Sequence, residues 1–182
     1  MALPTGVHRL GPDNASLQVR TFRDGVAARV GHDLIIAVTR WDATIELGSD
    51  PTARRVALNV DPRSLEVREG VGGVKPLTDK DRRDIAKTID VKVLGGDPIA
   101  FRSSAVRPME DGGGFVVEGE LSMAGRGRSL TAHVRVGGGG TISATIPLAQ
   151  SAWGIKPYRG LMGALKVRDE VEIAIAADVA SG

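Results

Sequence analysis

Apolar residues recur at every second position in one segment after another, the period of a strand with one buried face. Leu17, Val19 and Thr21 alternate with Ser16, Gln18 and Arg20, and Leu34, Ile36 and Val38 form the next stripe. Trp41, Ala43, Ile45 and Leu47 follow, and then, after the turn at Pro51, Val56, Leu58 and Val60. The series continues with Ile99, Phe101, Ser103 and Ala105, then with Val117, Gly119, Leu121 and Met123. Leu130, Ala132, Val134 and Val136 come next, then Ile142, Ala144, Ile146 and Leu148, and last Val171, Ile173 and Ile175. Between them, Asp111-Gly112-Gly113-Gly114, Gly125-Arg126-Gly127 and the run Gly137 to Gly140 supply the positive-φ positions that hairpins need.

One segment has a different period. From Thr78 to about Leu94, Ile85 and Ile89 fall at helical spacing. Thr78 suits an N-cap, Asp79 and Asp81 suit the positive end of the helix dipole, and Gly95-Gly96 with Pro98 stops the helix. No other helix separates successive strands, so parallel crossovers are excluded and the sheet is antiparallel. The expected fold is all-β: one domain over residues 1–182, a closed antiparallel barrel of about eight strands with one short inserted helix. Closure removes exposed edges. A two-sheet sandwich is the alternative.

The inward stripe mixes large residues with Ala43, Ser103, Ala105, Gly119, Ala132 and Ala144. Small residues at mid-strand leave volume that close packing would otherwise fill. Either Trp41, Phe101 and Met123 fill it, or the barrel holds a ligand. The stripe carries almost no charge, so such a ligand is hydrocarbon.

Composition narrows the function. There are 24 Lys and Arg against 22 Asp and Glu, a net charge of +2, and aromatics are 3% of residues. So small a surplus with so few stacking platforms argues against nucleic acid. The absence of cysteine excludes disulfides, thiolate catalysis and thiolate-held metals. His8, His32 and His133 are not at metal-ligand spacing, and no cofactor is expected. The first residues show no secretory signal and no run approaches a membrane-spanning length, so a cytoplasmic protein is expected.

Five stretches together resemble a known family. They are Asp13-Asn14-Ala15-Ser16-Leu17, Val60-Asp61-Pro62-Arg63-Ser64-Leu65, and a helix reaching Asp90-Val91 before Pro98-Ile99-Ala100-Phe101-Arg102-Ser103. Gly119-Glu120-Leu121-Ser122-Met123-Ala124-Gly125 and Arg168-Asp169-Glu170-Val171-Glu172-Ile173 complete the set. In this order they resemble the YceI-like family of lipocalin-like, polyisoprenoid-binding proteins over nearly the whole chain. The resemblance implies an extended lipocalin-like barrel that binds a long isoprenoid chain, of a lipid or quinone, without catalysis. The Gly31-His32-Asp33-Leu34 segment departs from the family pattern, as does the lack of an export signal.

The residues expected to line the ligand site are Leu17, Val19, His32, Leu34, Ile36, Trp41, Leu58, Phe101, Ser103, Gly119, Leu121, Ala132 and Ala144. His133 alternates outward. His32 shares the inward parity of Leu34 and is either satisfied by backbone or a polar contact for a ligand. A hydrolase using His32 as base is the third reading, although Asp33 faces the opposite way on a strand. The loop 153–165 adds Trp153, Ile155, Lys156, Arg159, Leu161 and Met162. It is a plug, a lid over the ligand with Lys156 or Arg159 meeting an anionic head group, or a homodimer contact. The second reading of function is therefore a filled barrel that dimerises through this loop.

Overall fold

The turn chemistry sets the first pairings. At Ala124 (φ +50°) and Gly125 (φ +72°) both central positions of a two-residue turn are left-handed, the geometry that matches strand twist. It joins β9 (Gly114–Met123) to β10 (Arg126–Val136) in the longest ladder of the protein. The computed structural model describes residues 3–179. Before this hairpin come β1 (Gly6–Leu10), β2 (Ala15–Thr21), β3 (Arg23–Asp24), β4 (Asp33–Val38), β5 (Trp41–Leu47), β6 (Arg54–Val60), β7 (Leu65–Val71), the helix α1 (Asp79–Thr88) and β8 (Ile99–Pro108). After it come β11 (Thr141–Ala149), β12 (Arg159–Gly160), β13 (Leu165–Val167) and β14 (Glu170–Asp178).

Eleven strands form one antiparallel sheet in the order β1-β5-β6-β8-β9-β10-β11-β14-β2-β4-β7, and β12-β13-β3 form a small second sheet. The large sheet curls until every one of its strands contributes a side chain to a common interior, from Leu10 on β1 to Leu65 on β7. The expected closed barrel of about eight strands is not what forms. The end strands β1 and β7 do not pair with each other. Helix α1 packs along β7 instead, with Arg82 Nη1 donating to Arg68 O at 2.9 Å, and Ile85, Thr88 and Ile89 face the same interior. A helix laid over an edge removes its pairing capacity as closure would.

A second interruption lies between β10 and β11, which pair only at Arg135↔Ser143 and Val136↔Ile142. Beyond that point the short helical turn Gln150–Trp153 lies against β10. Arg128 Nε donates to Ala152 O at 2.9 Å, and Trp153 Nε1 donates to Leu121 O at 2.8 Å.

The helical segment matches its expected span. Thr78 and Asp81 form a reciprocal capping box, and α1 runs on into a π-helical turn, Ile89–Leu94, that Gly95 ends at φ +65°. Parity fails in β8. The ladder between β8 and β9 shifts at Ser103/Ala105, so Val106 rather than Ala105 takes the buried place opposite Val117.

Candidate ligand cavity

The inward residues do not fill the space they enclose. A cavity of about 590 Å³ runs through the interior, within the range of sites for small ligands. At one end Leu3, Leu10, Trp41, Leu47, Ile142 and Val179 are buried against one another and close it. At the other end Val30 (42% exposed) and Tyr158 (47% exposed) both line the cavity and meet solvent, which marks the opening. The wall between is aliphatic: Leu17, Val19, Leu34, Ile36, Leu58, Leu121, Ala132 and Ala144, with Phe101 and Trp41, all lie on it as expected from the alternation. Ile155 joins them from the loop after β11. The helical segment adds Ile85 and Ile89, whose spacing was visible in the sequence without showing that they faced the same space as the strands, and with them Val93 and Leu94. Tyr158, Leu165, Val167, Val30 and Leu77 complete the opening and carried no periodic signal.

His32 stands at this opening, half-buried. Its Nε2 lies 2.8 Å from Lys75 O. A carbonyl only accepts, so Nε2 carries the proton and is committed to that bond. Asp33 turns away from it: Asp33 Oδ1 accepts from Arg23 N at 2.8 Å and lies 3.8 Å from Arg23 Nε. Arg23 Nη1 also donates to Gly31 O at 2.7 Å and Val71 O at 3.2 Å. Arg23 thus ties β3 to the start of β4 and the end of β7 beside the opening. Among the described residues, the hydrogen bonds of His32 and Asp33 do not join them to each other. Among the described residues no cluster of three His, Asp or Glu is placed to hold a metal.

Several expected site residues are elsewhere. Ser103 is not on the cavity wall, and its Oγ accepts from Val56 N at 2.8 Å. Gly119 is not on it either. A Cβ there would press on the Arg102 carbonyl and sit 2.6 Å from Phe101 Cζ, so the glycine makes room for a ring and not for a ligand. Trp153 is 4% exposed and belongs to the core cluster with Leu121 and Ile155. Lys156, Arg159, Leu161 and Met162 are exposed and outside the wall. The loop 153–165 therefore divides. Trp153 and Ile155 pack into the core beside β10, and the later residues form an exposed rim. His133 is exposed, as its parity requires.

No helix among the described residues is long and apolar enough to cross a membrane. The sequence profile of the YceI-like domain matches residues 13–179. No curated protein matches the sequence. Among solved structures, the chain is similar to BcnA of Burkholderia cenocepacia, with a TM-score of 0.64 and 18% identity over 89% of this chain and 94% of that one. It is similar also to the YceI protein of Campylobacter jejuni, with a TM-score of 0.57 and 10% identity over 78% of this chain and 81% of that one. At such identities the likeness is one of fold.

Proposed function

Because the chain belongs to the YceI-like domain family, we propose that it binds one long apolar chain, the isoprenoid tail of a lipid or quinone, in the cavity and carries or sequesters it without chemistry. The observation that supports this most directly is the 590 Å³ aliphatic cavity, closed at one end and open at the other. Each methylene moved there from water contributes about 0.8 kcal/mol. A filled interior that served only as a dimerisation scaffold would not leave that volume. The commitment of His32 Nε2 to Lys75 O and of Asp33 to Arg23 argues against the hydrolytic reading.

Native mass spectrometry of the purified protein, with extraction of whatever it carries, tests the reading. An adduct of several hundred daltons that dissolves in organic solvent is expected. Ala132→Trp, which puts a large side chain on the wall, should abolish the adduct in a protein that still melts cooperatively. A wild-type protein that stays empty when offered long-chain isoprenoids, or an Ala132→Trp variant that retains them fully, would overturn it.

A further inference from the structure

The cavity opening is framed by three segments, 25–32, 70–77 and 154–167. Ala27 N donates to Ala164 O at 3.0 Å, His32 Nε2 donates to Lys75 O, and Gly31 abuts Leu165. Between them they hold Arg29, Lys75, Lys156, Arg159 and Lys166 and not one Asp or Glu, in a chain with 22 acidic residues. None of these five cations forms an ion pair among the described residues. Four acidic groups near the opening, one of them Asp84 on the cavity wall, have partners of their own. Asp33 holds Arg23, Asp84 is 2.6 Å from Lys80 Nζ, Asp81 caps α1, and Asp24 Oδ1 accepts from Gly25 N at 2.7 Å.

Apolar exposure is concentrated in the same place. Nine large hydrophobic side chains are exposed among the described residues, and Val26, Val30, Val71, Val74, Tyr158, Leu161 and Met162, seven of them, lie in these three segments. Leu161 is 61% exposed and Met162 fully so. Both adopt left-handed backbone, at φ +49° and +57°, a conformation uncommon outside glycine and asparagine. Scattered exposed apolar residues need no explanation, but a ring of them around the opening of an apolar cavity does.

We propose that this face docks on a membrane surface rich in anionic lipid, with Leu161, Met162, Val26 and Val74 inserted among the head groups and the five cations facing lipid phosphates. Aliphatic tips set among unpaired cations match the interfacial layer of such a membrane, where apolar burial and attraction to anionic lipid add. Docked in this way, the opening faces hydrocarbon, and a chain passing from bilayer to cavity does not cross water. What is exchanged there rests on the function proposed above; the docking itself does not.

The test is co-sedimentation of the full chain with vesicles of phosphatidylcholine alone, or with about one-third phosphatidylglycerol. Binding to the anionic vesicles and little to the neutral ones is expected, weakening as salt rises. With roughly fivefold affinity per cation near the surface, Lys156→Glu with Arg159→Glu should weaken binding at least about 25-fold. Leu161→Asn with Met162→Asn should weaken it several-fold; asparagine tolerates the left-handed backbone, so the fold is retained. Arg9→Glu with Arg55→Glu, exposed on β1 and β6 away from the three segments, should bind as wild type. No binding, equal binding to both vesicles, or equal losses in the rim variants and the Arg9/Arg55 variant would overturn the docking. Native mass spectrometry of the same samples separates the two readings. A retained chain without vesicle binding overturns the docking alone, and vesicle binding by a protein that never retains a chain supports the docking while removing the cavity function.

Discussion

At Gly119 the alternation pointed inward correctly and the inference drawn from it failed. The position faces the interior between Val117 and Leu121, but the space beside it is taken by the Phe101 ring and by the Arg102 carbonyl at the ladder shift. Gly119→Ala should therefore destabilise the protein by about 1–3 kcal/mol, the range for overpacking, and leave ligand size preference unchanged. Urea unfolding checks the first and a chain-length series the second. Ala132 and Ala144 have the same parity and do lie on the cavity wall. Alternation reports only which way a side chain points. Whether a small residue leaves a void depends on what its neighbours across the sheet put there, and those neighbours lie far away in sequence. Trp153 shows the same limit. Nothing local in the sequence shows that its indole N–H reaches Leu121 O, 32 residues away. Trp153→Phe removes that bond while the carbonyl keeps its ladder bond from Arg128 N, and should cost about 0.5–1.5 kcal/mol, measured by thermal melting.

Among the elements, the strands that the pattern revealed are the interior of the sheet, and the two long-sheet strands it missed, β1 and β7, are its edges. An edge strand needs fewer inward apolar residues. β1 places His8 and Leu10 on one parity, and β7 has only Leu65 and Val67 before Gly70. Helix α1 was legible because its signals are local: cap, acidic first turn and glycine stop. That cap also gives the edge cover a pH dependence. Hydrogen bonds from the Thr78 hydroxyl and then from the Thr78 backbone N–H hold the Asp81 carboxyl below its usual range. The folded value lies below the unfolded one, so the stabilisation is complete at neutral pH and is lost as pH falls below about 4 through the folded value. Thr78→Ala should cost about 1 kcal/mol at neutral pH. The stability difference between wild type and Asp81→Asn should shrink on acidification, as melting curves from neutral to acid pH would show.

On the scale of the whole molecule, the sequence carried the all-β class, the single helix and the apolar interior, while closure into a ring of about eight strands did not follow. Closure depends on how the two end strands meet, and no residue pattern within a strand encodes that. The incomplete pairing of β10 with β11 has a consequence of its own. In the β9–β10 ladder the pair flanking the turn is Met123↔Arg126, so alternate residues of β10, Gly127, Ser129, Thr131 and His133, aim their amides away from β9 and toward β11. These amides should exchange with deuterium faster than those of Arg128, Leu130 and Ala132. Here the wall has a seam sewn by side chains, by Trp153 and Arg128, and its girth is not fixed by a backbone ladder. Such a container should stretch at small cost. Straight and methyl-branched chains of equal carbon number should bind within about threefold of each other, since most of their affinity comes from area removed from water. A preference of more than tenfold for either would mean that the seam does not give.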